Sequence, residues 1–168
     1  MAMERRPRKS NNRDEQGARE FDQKVVEVSR VTRVVAGGKR MRFRALVVIG
    51  DKKGRIGMGL KKGLDVQESV NKAVNQAKKN MLTVPIVNDT IPHEVTMKYK
   101  ASKLIMRPAR SGTGVIAGGA VRSVMELAGV KNIISKMIGS SNKVNNIKAV
   151  FKAFETMKSK EDLETLRK

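Results

Sequence analysis

Met41-Arg42-Phe43-Arg44-Ala45-Leu46-Val47-Val48-Ile49 decides how this chain folds. Met41, Phe43, Ala45, Val47 and Ile49 alternate with Arg40, Arg42 and Arg44, the two-residue period of a strand with one face in a core and the other presenting arginines. Working upstream, β-branched residues crowd from Lys24 onward as Val25, Val26, Val28, Val31, Val34 and Val35, and the run stops at Gly37-Gly38. That predicts a preceding strand and a hairpin turn. Downstream, Gly50-Asp51-Lys52-Lys53-Gly54 is a turn by composition, and Arg55-Ile56-Gly57-Met58-Gly59-Leu60 reads as a third strand weakened by glycine. Asp65 then stands as an N-cap with Glu68 in capping-box spacing. Val66, Val70, Ala73, Val74, Ala77 and Met81 follow at helical intervals, which predicts an amphipathic helix of about four turns.

This β-β-β-α unit over residues 24–82 resembles the double-stranded-RNA-binding fold without its first helix. Pro85, Asn88, Asp89 and Pro92 mark residues 85–92 as a linker. Beyond it, Val95, Met97 and Tyr99 alternate in one strand and Leu104 and Met106 in another, which Pro108 ends. Val121, Val124, Met125, Leu127 and Ala128 predict a helix that Gly129 terminates. Ile133, Ile134, Met137 and Ile138 suggest a short buried strand, and a last helix beginning near Ser141 or Asn142 buries Val144, Ile147, Val150, Phe151 and Phe154. The expected fold is α+β, a truncated double-stranded-RNA-binding-like domain over 21–84 and a two-layer α/β sandwich over 93–158. Residues 1–20, nearly free of large apolar side chains, are expected to be a flexible basic arm, and 159–168 a tail.

The composition excludes most chemistry. No cysteine among 168 residues removes disulfides, thiolate nucleophiles and Cys-based zinc sites, and His93 as the single histidine leaves no multi-histidine metal site within the chain. No apolar run approaches the ~18 residues of a membrane span, so a cytosolic protein is expected, with no membrane partner. The ten methionines are most simply core filler. No catalytic residue, metal, cofactor or small-molecule substrate is predicted.

What remains is charge. Lys and Arg number 36 against 16 Asp and Glu, a net of +20. Residues 1–20 contribute +2, 21–84 contribute +10 and 85–168 contribute +8, so both globular parts are expected to touch a polyanion. Arg30 to Lys62 holds eleven basic residues and one acid, Asp51. With only Phe21, Phe43, Tyr99, Phe151 and Phe154 as aromatics, base stacking on an aromatic cluster is excluded, and recognition of phosphate, ribose and shape is left. The residues expected to meet RNA are Arg33, Gly37, Gly38, Lys39, Arg40, Arg42, Arg44, Lys52, Lys53, Arg55, Lys61, Lys62, Arg107 and Arg110. Lys61-Lys62-Gly63, just before the predicted helix, reads equally as a phosphate clamp and as a solvated loop.

Gly112-Thr113-Gly114-Val115-Ile116-Ala117-Gly118-Gly119-Ala120-Val121-Arg122 is the most motif-like stretch. Gly114 and Gly119 have Walker A spacing, but Ala120-Val121 occupies the Lys-Ser/Thr positions, so that reading fails. Gly112, Gly114 and Ala117 satisfy a dinucleotide fingerprint, yet no acid stands about twenty residues on to hold a ribose. A backbone surface that lets RNA phosphate or a neighbouring protein approach, flanked by Arg107, Arg110 and Arg122, is preferred to glycines that serve only a turn.

Two blocks now resemble a known family, the bacterial small-subunit ribosomal protein five, over about Phe21 to Phe154. The first is Arg33-Val34-Val35-Ala36-Gly37-Gly38-Lys39-Arg40-Met41-Arg42-Phe43-Arg44-Ala45-Leu46-Val47-Val48-Ile49-Gly50-Asp51 with Gly54-Arg55-Ile56-Gly57-Met58-Gly59 after it. The second is Arg107-Pro108-Ala109, the glycine-rich stretch above, and Gly139-Ser140-Ser141-Asn142. Departures from the family pattern lie outside these centres: Leu60 to Gln67 at the helix start, Ala36 where lysine is common, Ala101-Ser102-Lys103 where glycines are usual, and Lys143 in place of a proline. The resemblance implies a left-handed β-α-β crossover in the second domain and no catalysis. It further implies 16S rRNA, ribosomal proteins four and eight, and mRNA near where it enters the subunit as partners, with a role in decoding accuracy at the head–body junction. Gly112, Thr113, Gly114 and Arg122 match the segment that faces protein four. A free double-stranded-RNA-binding regulatory factor is the alternative function.

Overall fold

The computed structural model describes residues 21–158. The arm expected at 1–20 and the tail at 159–168 lie outside the described residues. Strands β1 (Asp22–Val35), β2 (Gly38–Gly50) and β3 (Arg55–Gly63) form an antiparallel meander, and helix α1 (Val66–Lys79) follows. A short strand, β4 (Met81–Thr83), then pairs with β3. The helical spacing had assigned Met81 to the helix face. The helix instead ends at Asn80, and Met81 turns back onto the same small core as a strand residue opposite Gly57.

In β2 the expectation of one buried face holds only in part. Lys39 to Arg42 are exposed, with Met41 at 54 % among them, but Ala45 to Ile49 are all buried. Ala45, Val47 and Ile49 meet Ala73 and Ala77 of α1, while Leu46 and Val48 enter a second, larger core on the opposite face. The unbroken run Ala45-Leu46-Val47-Val48-Ile49 is the signature of a strand covered on both sides, and here it outranks the alternation that precedes it.

The glycines that weaken β3 are what brings α1 close. Gly57, Gly59 and Gly63 share the face beneath the helix. A Cβ on Gly59 would overlap the Ala73 carbonyl, one on Gly57 the Ala77 carbonyl, and one on Gly63 would stand 2.7 Å from the Ser69 nitrogen. Ser69, Ala73 and Ala77 recur every four residues on the buried side of α1, so small residues face glycines along the whole contact. Asp65 caps the helix by accepting from the Val66 N–H, and Glu68 reaches back to accept from the Leu64 N–H at 2.7 Å.

The second sheet runs β5 (Val95–Tyr99), β6 (Ser102–Pro108), β8 (Ile133–Gly139), β7 (Val115–Ile116) in spatial order. Helix α2 (Gly119–Ala128) connects the parallel pair β7 and β8, and α3 (Lys143–Thr156) packs on β5 and β6. The chain is thus α+β, a four-stranded antiparallel sheet followed by a second sheet with helices. Gly129 ends α2 at φ +91° and Asn142 caps α3 by accepting from the Val144 and Asn145 N–H groups. The two-residue strand β7 was not foreseen, because two residues cannot show a period.

The larger core joins the two parts. Leu46, Val48 and Ile56 of the first sheet pack with Val121, Val124 and Leu127 of α2 and with Ile147 and Phe154 of α3. Residues 85–92 take part, with Ile91 buried and the Asp89 carbonyl accepting from the Lys131 and Asn132 N–H groups.

Candidate nucleic-acid interface

The β1–β2 hairpin outruns the core that supports its base. Its ladder stays in register from Val28 opposite Ala45 to Val35 opposite Gly38, and the turn is Ala36-Gly37, one residue earlier than Gly37-Gly38 suggests, with Gly38 at φ +139°. Directly opposed residues share a face. Arg33 therefore stands beside Arg40, Val31 beside Arg42 and Ser29 beside Arg44, while Lys62 of β3 lies opposite Arg44. Five cations line one face of the hairpin and its neighbour, and Lys39 with Arg30 occupy the reverse. Arg44 is steadied by donating from Nε to Ser29 Oγ at 3.1 Å. Among the described residues, no carboxylate pairs with Arg33, Lys39, Arg40 or Arg42. Like charges directly opposed across strands repel, and an anion laid on this face would relieve that repulsion.

Lys61 and Lys62 are the exposed end of β3 rather than a loop before α1. Asp65 and Glu68 already hold the first N–H groups around the helix start, so a phosphate there would meet lysines more than helix donors.

The remaining predicted residues are placed apart from the hairpin. Lys52, Lys53 and Arg55 lie around the β2–β3 turn, at the far end of β2 and roughly 40 Å from the hairpin tip at ~3.3 Å per residue. That turn is a joint between the two parts of the molecule. The Lys52 N–H donates to the Leu127 carbonyl at 3.0 Å and the Gly54 N–H to the Ala128 carbonyl at 2.9 Å. Asp51 organises it by accepting from the backbone of Lys53 and Arg55 and from Arg55 Nε at 2.8 Å. Burial pushes the Asp51 carboxyl up, but the Arg55 side chain and the two backbone N–H groups outweigh it and hold the group below the usual carboxylate range. Lys52 pairs with Asp22 at 2.6 Å, and Arg55 also lies over the Phe21 ring at 5.4 Å. The Lys52 and Arg55 side chains thus carry intramolecular duties.

The glycine-rich stretch resolves into a wound loop. Gly112 and Gly114, at φ +89° and +75°, both donate their N–H groups to Asn132 Oδ1 at 3.1 Å. The buried Asn132 side chain therefore takes the donors that a phosphate would need. Nothing in the sequence marked Asn132 for that role, since the pairing spans about twenty residues. Outward, a Cβ at Gly112 or Gly114 would meet nothing within 4 Å, so the loop offers open backbone to a neighbour. Thr113 and Arg110 are exposed there, Arg107 pairs with Glu94 at 2.9 Å, and Arg122 with Glu126 at 2.9 Å. Glu126 also holds Lys24 of β1 at 2.9 Å. Lys24 and then Arg122 keep its carboxyl below the usual range.

Family models for the two domains of ribosomal protein S5 match this chain, the N-terminal domain over residues 21–85 and the C-terminal domain over 97–167. The chain belongs to the ribosomal protein S5 family. S5 proteins are structural constituents of the small ribosomal subunit that bind rRNA, and they are not enzymes. The S5 N-terminal match covers the meander with its arginine-lined hairpin, and the S5 C-terminal match covers the helix pair and the second sheet from Met97 onward. Among the described residues, no group of His, Asp or Glu could hold a metal ion, and no helix is long and apolar enough to cross a membrane.

Proposed function

We propose that this S5-family chain grips 16S rRNA at the head–body junction chiefly through the β1–β2 hairpin, with Arg33, Gly37, Gly38, Lys39, Arg40, Arg42 and Arg44 on the phosphate backbone. Lys61 and Lys62 extend that surface along β3. The observation that carries the reading is the row of uncompensated arginines projecting beyond the core. Lys52, Lys53 and Arg55 act mainly at the joint, and Arg107 and Arg110 form a smaller contact beside the glycine loop.

The loop at Gly112, Thr113 and Gly114, with Arg122, faces ribosomal protein four, and its open backbone supports that assignment. Ribosomal protein eight and mRNA near its point of entrance complete the partners, and the chain contributes to decoding accuracy. Residues 21–84 and 93–158 are the two domains, bridged by 85–92.

A filter-binding series on small-subunit rRNA fragments tests this. If on the order of eight phosphates are neutralised, the logarithmic salt slope is roughly −6 to −7. A slope near zero contradicts the reading. Sedimentation of a cell lysate separates it from a free double-stranded-RNA-binding factor, which would stay at the top of the gradient.

A further inference from the structure

The glycine loop is held from within by one side chain. Asn132 stands just before β8 and is 6 % exposed. Its Oδ1 has two lone pairs and uses both, accepting from the Gly112 and Gly114 N–H groups at 3.1 Å each. Two backbone bonds add to these. The Ile133 N–H donates to the Gly114 carbonyl at 3.1 Å, and the Thr113 N–H to the Arg110 carbonyl at 3.2 Å. With the donors of both glycines turned toward Asn132, residues 112–114 form an arch whose middle residue, Thr113, is exposed. Glycine permits the positive φ of this arch but permits many other shapes equally well, so a fixed acceptor is what selects one of them.

Asn132 is itself anchored on residues 87–90. Asn88 and Asp89, at φ +51° and +62°, make a tight turn closed by reciprocal backbone bonds between Val87 and Thr90 at 2.9 and 3.0 Å. Two successive left-handed residues are the mark of a type I′ turn, which Asn and Asp tolerate better than other residues with a side chain. The Asp89 carbonyl accepts from the N–H groups of both Lys131 and Asn132 at 3.0 Å, and the Asp89 carboxylate reaches Lys131 Nζ at 3.2 Å. Thr90 Oγ1 accepts from the Ala109 N–H at 3.4 Å, on the approach to the loop. The turn thus holds both ends of the segment that Asn132 spans.

We infer that Asn132 is the positioning residue of the glycine loop: its amide oxygen, braced by the 87–90 turn, sets the shape of residues 112–114 and so the fit of the loop against its protein neighbour. The inference rests on the proposed reading of that loop as a protein contact that bears on decoding accuracy. What the position requires is an acceptor. Asn132→Ala leaves the two glycine N–H groups to water and frees the arch. Asn132→Asp keeps an oxygen at the same reach, and a charged acceptor holds two donors at least as firmly. Both substitutions discard the Nδ2 donors, so a difference between them reports the acceptor.

The first measurement is amide exchange on the full-length chain at neutral pH. In Asn132→Ala, protection at Gly112 and Gly114 is expected to fall about tenfold more than at the core amides of Val48 and Ile147, whereas Asn132→Asp keeps the two glycines protected. An equal fall at all four sites would make Asn132 a general support of the fold and overturn the inference. The second measurement is misreading of near-cognate codons, read with a reporter in cells whose small subunits are shown to contain the variant chain. Asn132→Ala is expected to change misreading by about threefold or more, and Asn132→Asp to return it to the wild-type rate. Equal misreading by the two variants overturns the inference. Gly114→Val, which alters the outer face of the loop directly, separates the two ways to fail. If it changes misreading and Asn132→Ala does not, the positioning role falls and the loop contact stands. If neither changes misreading, the reading of the loop as an accuracy contact falls and takes the inference with it.

Discussion

Two residues show how tightly the first sheet is tied to what covers it. Gly59 has no room for a methyl group against the Ala73 backbone. Gly59→Ala is expected to destabilise the chain by about 3 kcal/mol, at the upper end of overpacking effects, measured by urea denaturation. Asp51→Asn keeps the shape of the β2–β3 turn but removes the charge that Arg55 and two N–H groups hold, and the expected loss is about 1–3 kcal/mol at pH 7. Because the folded-state pKa is depressed, that stabilisation is complete above the ordinary carboxyl value of about 3.9 and disappears as pH falls through the folded value. Stability curves of wild type and Asp51→Asn are therefore expected to differ at neutral pH and to converge in strong acid. A gap that widened on acidification would contradict the assignment. The turn at Gly50 to Gly54 was legible from its composition, whereas its docking on Leu127 and Ala128 was not, because nothing local encodes a contact across some seventy residues.

At the scale of elements, the hairpin separates binding from folding. Arg33 and Arg40 oppose each other on an exposed ladder and meet no carboxylate among the described residues. Arg33→Ala with Arg40→Ala is expected to leave stability within about 0.5 kcal/mol, as for other surface changes. The magnitude of the rRNA salt slope is expected to drop by roughly 1.5, since each lost phosphate contact removes about 0.7 to 0.9. A loss of stability equal to the loss of affinity would mean that the arginines support the fold instead. The long strands and the helices were readable, and the cations could be listed, because period, caps and charge are local. What the list could not show is which cations are already spoken for. Arg55 and Arg122 have a carboxylate four residues away, but Lys52 and Arg107 look like Arg33 in the sequence, and only folding brings Asp22 and Glu94 to their sides.

Across the whole molecule, the larger core passes through both matched domains, so they are expected to unfold together. Leu46→Ala opens a cavity among first-sheet and α2 residues and should lower stability by about 2–5 kcal/mol. Amide exchange is expected to speed up in both β2 and α3, since both report the same global opening. Faster exchange confined to residues 21–84 would show two independent units. The composition over 85–92 reads as a linker, yet Ile91 within it is 1 % exposed. Proline, asparagine and aspartate announce a bend without saying whether what lies on either side of it is packed together.

Strand β2 runs from the arginine hairpin through that core to the β2–β3 turn, which is hydrogen-bonded to the C-terminal end of helix α2. No glycine or proline interrupts it between Lys39 and Ile49. The strand is therefore built as a tie-rod: on the proposed reading, a tug on nucleic acid at the hairpin would be passed toward the C-terminal end of α2, with no soft segment along β2 to absorb it.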